Sequence, residues 1–251
     1  MPGRRLSEDG EPIEPDAESV RIARSGVVLR VEDSIIGAVR LANESTAHIS
    51  NSIVDATHPS KVACAGTGAD GAYTADGSLT LLATTVIGKV RVHQMPLVSN
   101  SILLARRTGP DDPWREPVRV TRRQEGCVRF SYVPLRAVTP RRFRCQPQLA
   151  IEAEIARRER DGVHLRAAMK ARIANGLGRS LVPSFTARRY GRPAYCQLLR
   201  STPLEIRAGA DDEAEMGAFH DLYQPQRETN LVVRLDEYLR LGLEAGEFFE
   251  T

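Results

Sequence analysis

The chain has 251 residues, of which 41% are hydrophobic and 27% charged, a balance typical of one globular domain or two small ones. Its formal charge is only +3, and 32 of its 35 basic residues are arginine, since Lys61, Lys89 and Lys170 are the only lysines. The polar N-terminus has no apolar core of a secretory signal and no run of 18 apolar residues occurs, so we expect a cytoplasmic protein without membrane contact.

The first 26 residues are polar and rich in acids, and we expect a flexible N-terminus there. A repeat then covers residues 27–146. Each of its units sets a small polar pair before a Ser or Thr and two aliphatic residues, as in Val31–Gly37, Ile49–Asp55, Leu82–Gly88 and Val98–Leu103. The spacing predicts equivalent hydroxyls at residues 34, 52, 85 and 101. Residues 65–78, rich in Gly and Asp, indicate a loop inserted into the longest step.

Further strands are predicted between these units, at Gly37–Leu41 and Gly88–Val92. They alternate apolar and basic residues, which places Arg40, Lys89 and Arg91 on the face opposite the valines. Short strands that recur every 16 to 20 residues without helices between them are typical of a parallel β-helix.

Asparagines support the same interpretation. Asn51 and Asn100 occupy the same position of the repeat, and asparagine tolerates the left-handed backbone that a coil corner requires. A β-sandwich with irregular loops is the alternative fold, but the repeat contains no Asn-Gly hairpin signal. The last strands are predicted at Pro117–Val120 and Cys127–Val133.

Residues 147–180 change to a helical pattern. Ile151–Arg160 repeats apolar residues at three- and four-residue spacing and carries charges of both signs, as amphipathic surface helices do. A second helix is predicted at Val163–Ala174 and should end at Asn175-Gly176. The fold class that follows is mainly β, a right-handed parallel β-helix with a helical C-terminal segment.

The final part, residues 181–251, begins with an extended, basic and aromatic stretch at Val182–Tyr195. A helix is predicted from Pro225 to Gly246. Its leucines recur at every fourth position, so that one apolar stripe must be buried against something: Leu231, Leu235, Leu239 and Leu243.

Charge is divided between two poles. Residues 106–144 hold eleven arginines against four acids, a net +7, whereas residues 205–250 hold twelve acids against four arginines, a net −8. Opposite charges predict that the acidic C-terminal part docks on the basic last coils, in this chain or in a neighbouring one. The residues that we assign to this interaction are Arg122, Arg123, Arg141, Arg142, Leu231, Leu235 and Leu239.

No catalytic residue can be assigned from motifs. Polysaccharide-cleaving β-helices use acids with basic groups on an exposed strand face, and general acid/base work needs two groups that converge on one substrate. The candidates for this chemistry are Asp55, His58, Lys89 and Arg91. Against them, residues 27–107 contain only one aromatic residue, Tyr73, that could stack on a sugar ring.

Other ligands find less support. The arginines of the last coils alternate with aromatic residues, but the acidic tail and the lack of a nucleic-acid motif argue against a nucleic-acid partner. Metal sites usually show closely spaced ligand pairs, and the four cysteines are scattered without a Cys-x-x-Cys pair. We therefore expect reduced thiols, no metal and no cofactor.

Four stretches carry a resemblance to a known family: Arg122–Pro134, Pro140–Pro147, Glu215–His220 and Leu235–Arg240. In these the chain resembles the C-terminal part of a family of large uncharacterised bacterial proteins. The family is similar to right-handed, pectate-lyase-like β-helices and is associated with phage-tail-like or contractile-injection gene clusters. The resemblance implies a structural component of such an assembly and transfers no catalytic residue.

Two functions remain as hypotheses. The first is a non-enzymatic β-helix module for structure or protein interaction, with a protein partner or self-association. The alternative is a carbohydrate-active β-helix enzyme, a polysaccharide lyase or a glycoside hydrolase, with carbohydrate as its ligand.

Overall fold

The structure, a computed structural model, describes residues 18–240 together with 242, 243 and 246. Short strands make up most of its first half. In chain order they are β1 (Glu18–Arg21), β2 (Val28–Glu32), β3 (Ile35–Ile36), β4 (Ala38–Leu41), β5 (Thr46–Ser50), β6 (Ile53–Asp55), β7 (Val62–Thr67), β8 (Tyr73–Thr74), β9 (Ser78–Leu82), β10 (Thr85–Ile87), β11 (Lys89–Val92), β12 (Leu97–Ser99), β13 (Ile102–Leu104), β14 (Val118–Val120), β15 (Cys127–Arg129) and β16 (Arg141–Phe143).

The strands form three sheets, and every pairing is parallel except the short hairpin of β7 and β8. Sheet A has the order β1-β4-β7-β11-β14, with β8 beside β7. Sheet B has the order β2-β5-β9-β12-β15-β16, and sheet C the order β3-β6-β10-β13. The prediction of a mainly β fold is confirmed.

The chain visits the sheets in a fixed cycle. It passes from sheet B to sheet C to sheet A in β2-β3-β4, and repeats this in β5-β6-β7, β9-β10-β11 and β12-β13-β14. Each turn of the cycle adds one strand to each sheet beside the strand of the turn before. The first strand, β1, lies within the stretch that the sequence analysis assigned to a flexible N-terminus.

A left-handed residue stands wherever the chain leaves sheet B. The φ angles of these six corner residues lie between 45° and 51°, at Asp33, Asn51, Ala83, Asn100, Phe130 and Arg144. The residues just before them are paired in one row across sheet B, from Glu32 to Phe143. The predicted corner conformation of Asn51 and Asn100 is thus confirmed.

A side chain that bonds back to the main chain follows each corner. The Ser101 hydroxyl, for example, donates to the Ser99 carbonyl at 2.8 Å, and the Ser101 backbone N–H donates to Ser131 Oγ of the next coil at 3.0 Å. The six positions are Ser34, Ser52, Thr84, Ser101, Ser131 and Cys145. These bonds satisfy polar groups that the corners would otherwise bury.

One of the predicted hydroxyl positions was wrong by a single residue. Thr84, not Thr85, is equivalent to Ser52, because Leu82 is paired with Ser50 in sheet B. Thr85 begins β10 and is paired with Ile53 and Ile102 in sheet C. Two adjacent threonines fit the repeat equally well, so the spacing could not separate them.

Aliphatic side chains fill the space between the sheets. Val39 of sheet A, Leu81 of sheet B and Val86 of sheet C are each 0–1% exposed. With one methionine, Met95, and two thiols, Cys64 and Cys145, they belong to a single continuous core. Interior packing of this kind explains why so few aromatic residues suffice.

Helices appear after the last coil. They are α1 (Gln148–Arg160), α2 (Ala167–Ser180), α3 (Leu204–Arg207) and α4 (Gln224–Tyr238), with a 3₁₀ turn at His220–Leu222. Among these described helices, none combines the length and the apolar character that a membrane-crossing segment requires.

Two helix ends differ from the sequence-based expectation. α2 continues through Asn175 and Gly176 to Ser180, because each of these residues costs a helix only about 1 kcal/mol or less. α4 ends at Tyr238, where Leu239 turns to an extended backbone, rather than at Gly246.

Candidate functional site

The part of the chain after α2 binds back onto sheet C. The backbone N–H of Gly217 donates to the Asn100 carbonyl at 2.8 Å, and that of Ala218 donates to Thr85 Oγ1 at 3.0 Å. Met216 packs against Ile102 in the same cluster. These contacts use the outer face of sheet C, which is therefore covered along β10 and β13.

Asp55, the first catalytic candidate, lies under this covering segment. Its carboxylate is 4% exposed and accepts the hydroxyl of Tyr195 and, at 2.7 Å, the backbone N–H of Thr57. Burial raises the pKa of Tyr195 and the negative charge of Asp55 raises it further, so the phenol stays protonated and remains a donor. Asp55 thus fastens the C-terminal segment to the coils.

Lys89 is buried in an ion pair. Its Nζ lies 3.1 Å from Asp112 Oδ2, and both side chains are at most 7% exposed. Burial by itself would raise the pKa of Asp112, but hydrogen bonds from the backbone N–H groups of Thr108 and Trp114 and from Lys89 outweigh it and lower the pKa to about 2. The lysine therefore holds the loop before β14 against sheet A.

Arg91 and Arg40 stack on aromatic rings above the same sheet. The Cζ of Arg91 lies 3.9 Å from the ring centre of Trp114, and that of Arg40 lies 4.9 Å from the ring of Tyr73. Tyr73 and Trp114 touch edge to face at 6.0 Å. Such cation–π contacts hold the loops that carry Tyr73 and Trp114 in place. The side of sheet A that carries the basic residues is therefore covered rather than open.

His58, the fourth candidate, is exposed in a turn and bonds its ring Nδ1 to Ser60 Oγ at 2.6 Å. The four candidates therefore serve different contacts. Asp55 meets Tyr195, Lys89 meets Asp112, and Arg91 meets Trp114. This arrangement leaves no acid and base directed at a shared substrate among the groups that the structure describes.

The predicted basic interaction residues lie at the end of sheet B. Arg123 and Arg141 are exposed, and Arg122 is exposed beside its partner Glu125. Arg142 differs, since it donates to Thr139 Oγ1 at 2.9 Å and to the Ala137 carbonyl at 2.5 Å, and burial lowers its pKa. Arg142 thus ties β16 to the chain just before it.

An exposed aromatic residue lies in the same area. Phe143 is 54% exposed, contacts Phe130 edge to face at 5.5 Å, and has the Cζ of Arg144 5.9 Å from its ring centre. We call the surface formed by Arg122, Arg123, Arg141, Phe143 and Arg144 the basic face.

The apolar stripe of α4 is only partly covered. None of the residues of α4 is buried; Leu231 is 46% exposed and Tyr238 87%, while Leu235 and Leu239 are half-buried.

α4 is held to the rest of the chain near its start, where Glu228 lies 2.7 Å from the guanidinium of Arg207 and 3.9 Å from that of Arg200. In the described part of the chain the helix forms no ion pair with the basic face. Within the part of the chain that the structure describes, α4 therefore does not dock on the basic face.

A polar cluster holds the segment between α3 and α4. His220 Nε2 lies 3.1 Å from Asp212 Oδ1, and its Nδ1 lies 3.0 Å from Asp221 Oδ1. Asn100 donates to Asp211 at 2.7 Å. Of the described groups, Asp211, Asp212 and His220 form the one set whose ligand atoms lie close enough for a metal, within 4.8 Å. The hydrogen bond between His220 and Asp212 and that from Asn100 to Asp211 account for the arrangement without one.

Sequence reasoning missed these long-range partners. Tyr195 lies 140 residues from Asp55, and Asp211 lies 111 residues from Asn100. No spacing rule links residues so far apart. The one available signal was chemical. Asparagines repeated at a corner carry amide N–H groups that can donate hydrogen bonds to the carboxylates of the C-terminal part.

Comparison with known proteins adds no relative. No protein-family model, no curated protein and no solved structure matches this chain.

Proposed function

We propose that this chain is a right-handed parallel β-helix with a non-catalytic role in protein assembly, in which α4 of one copy binds the basic face of the next. The cycle through sheets B, C and A, which the chain completes four times, supports the β-helix. Parallel strands joined through a crossover are right-handed in about 98% of cases.

The partly exposed stripe of α4 is the observation that carries this proposal. An apolar stripe of this length normally packs against another surface. The end of α4 and the residues after it are mainly acidic, with Asp236, Glu237, Glu244, Glu247 and Glu250 against Arg234 and Arg240. The basic face offers the complementary charge together with an exposed Phe143, and so is a suitable receptor on a second copy.

A contact between two different surfaces of identical chains propagates. Because each copy keeps one free helix and one free basic face, such a contact builds rings or open filaments. This agrees with the resemblance to proteins of phage-tail-like or contractile-injection clusters. We place the assembly in the cytoplasm, since its four unpaired cysteines favour a reducing compartment.

Among the described residues, no contact supports the alternative function, polysaccharide cleavage. Its candidates Asp55, Lys89 and Arg91 are engaged with Tyr195, Asp112 and Trp114. A carbohydrate enzyme would need at least two of these groups open to a sugar.

Sedimentation velocity of the full chain between about 1 and 100 µM tests the proposal. We expect association that rises with concentration and weakens from 50 to 500 mM salt, because the contact joins opposite charges. The double variants Leu231→Ser/Leu235→Ser and Arg123→Glu/Arg141→Glu should each remain monomeric. Matched controls on exposed residues elsewhere, Leu204→Ser and Arg166→Glu/Arg172→Glu, should associate like the wild type.

Mixing the two defective variants gives the sharper result. The stripe variant keeps an intact basic face and the arginine variant keeps an intact helix, so a mixture should form dimers and stop there. A wild type that stays monomeric at 100 µM and low salt would overturn self-assembly. Wild-type association without dimers in the mixture would overturn the head-to-tail contact.

A further inference from the structure

A cavity of about 690 Å³ lies between the last coils and α2. Its walls come from the chain after β13, from the turn after β15 and from the C-terminal end of α2. The volume falls within the range of about 300 to 1,000 Å³ that small-molecule sites occupy. The cavity is separate from α4, which contributes no residue to its lining.

Four arginines and no acid line this cavity: Arg106, Arg107, Arg136 and Arg179. Arg106, Arg136 and Arg179 are exposed, and none of them has a carboxylate partner among the residues that the structure describes. The cavity therefore gathers positive charge without neutralising it. Guanidinium groups are the side chains best suited to carboxylates and phosphates.

Arg107 adds a more specific indication. One of its terminal nitrogens donates to the Pro110 carbonyl at 2.8 Å, but its Nε is buried and meets no acceptor within the described part of the chain. A buried donor without an acceptor is costly, by about 1–3 kcal/mol. An anion would supply the acceptor once the guanidinium turned its Nε into the cavity.

The rest of the lining is apolar. Leu104, Leu135 and Val182 contribute aliphatic surface, and the ring of Tyr132 is nearly buried. Burial raises the pKa of Tyr132 to about 12, and the positive charge of Arg106 acts against this rise. One ligand could therefore meet an apolar wall and a cation at once.

We propose that this cavity binds a small amphipathic anion, a carboxylate or phosphate group carried on an apolar chain. The arginines hold the charged group, and Leu104, Leu135 and Val182 cover the chain. An apolar molecule without charge would leave the guanidinium groups unused, and a bare anion would leave the aliphatic wall exposed. Each should bind more weakly than the amphipathic compound.

Isothermal titration calorimetry of the full chain with four probes tests this. Octanoate and octyl phosphate carry both features, 1-octanol carries only the chain, and inorganic phosphate only the charge. At least one of the two anionic octyl compounds should bind, at least tenfold more tightly than octanol or inorganic phosphate. The tighter of the two identifies the charged group.

Variants assign the binding to the cavity. Arg106→Gln/Arg136→Gln should weaken binding of the anionic octyl compound at least tenfold, whereas the matched pair Arg166→Gln/Arg172→Gln should leave it unchanged. A Cβ on Gly178 would come within 2.3 Å of Leu135 Cδ1, so Gly178→Leu should push that side chain into the cavity and also reduce binding.

Three results would overturn the proposal. They are the absence of binding by both anionic octyl compounds at millimolar concentration, equal binding of octanol, and equal weakening by the two arginine pairs. Both arginine pairs lie on exposed positions, so that loss of folding does not confuse the comparison.

Discussion

Glu215 is a carboxylic acid in an almost completely buried position, 3% exposed. Burial raises its pKa to about 8; the attraction of Arg207 opposes the rise, and the negative charge of Glu228 adds to it. The side chain is therefore mainly protonated at neutral pH. It lies beside the pair of Arg207 and Glu228 that holds α4 to the molecule.

This gives stability a pH dependence of known sign. Between about pH 4.5 and pH 8 the folded chain holds a proton on Glu215 that the unfolded chain has lost, so the free energy of unfolding falls as pH rises through that window. Glu215→Gln removes the titration. We expect its melting temperature to exceed that of the wild type by several degrees at pH 8.5 and by little at pH 4.5.

Thermal unfolding by circular dichroism at these two pH values measures the difference. The exposed Glu205→Gln serves as the control and should follow the wild type at both. A melting-temperature difference between Glu215→Gln and the wild type that does not change with pH would contradict the protonated state of the buried acid.

Residue roles were the least predictable part of the site. Asp55 and Lys89 stand out in the sequence as charges within apolar strands, and that much could be predicted. Their roles depend on Tyr195 and Asp112, which approach only after the chain has folded back. A charged residue beside a valine looks the same in a sequence whether it meets a substrate or a buried partner.

At the scale of single elements, the positions of β12 and β15 depend on a glycine at the point where the chain segments before them approach closely. Gly126, just before β15, has a φ of +104°, and a Cβ there would lie 2.0 Å from the Met95 carbonyl oxygen. Gly162, after α1, has a φ of +81° with no atom within 4 Å of its own Cβ position. Substitutions at Gly126 and Gly162 therefore separate the cost of backbone strain from the cost of a steric collision.

Gly126→Ala should therefore cost much more than Gly162→Ala. Backbone strain alone accounts for about 1–2 kcal/mol in the control, whereas moving the Met95 backbone should raise the loss to about 3 kcal/mol or more. Urea unfolding followed by circular dichroism gives both free energies. Equal losses would mean that β12 and β15 do not approach each other as closely as described.

Elements with a strong local signal could be predicted. The alternation of Val39 with Arg40 and of Val90 with Arg91 gave β4 and β11, and the corner position of Asn51 was visible from the repeat. Features that depend on packing could not. Thr84 and Thr85 are indistinguishable locally, and only pairing across sheet B decides between them.

At the scale of the whole molecule, the C-terminal segment is bonded to the strands of the parallel sheets up to the start of α4. The amides of Gly217 and Ala218 are bonded to Asn100 and Thr85 of the coils. α4, in contrast, has no buried residue.

Hydrogen exchange should reveal this boundary. Amides of Gly217 and Ala218 should exchange about as slowly as that of Val86 in β10, because they open only when the segment leaves sheet C. Amides within α4 should exchange at least a hundredfold faster. Equal rates for Gly217 and for α4 would show that the segment is not fastened to the coils.

Charge at this scale was only half predictable. The two poles are a property of the sequence, but their docking in one chain does not follow from it. Several acids of the tail are used by neutral or local partners, as Asp211 is by Asn100 and Asp221 by Asn51. Net charge describes long-range attraction and does not specify which hydrogen bonds form at contact.

The row of corner residues also fixes the length of the molecule along the direction in which the strands are stacked. The six corners are 18, 32, 17, 30 and 14 residues apart along the chain, yet each is displaced from the next by one strand spacing of about 4.8 Å, or about 24 Å in total. Length along this axis is therefore independent of how many residues a coil contains. Longer loops would therefore leave the distance between the first and last corners unchanged. That distance can change only by whole strand spacings, when a strand is added or removed.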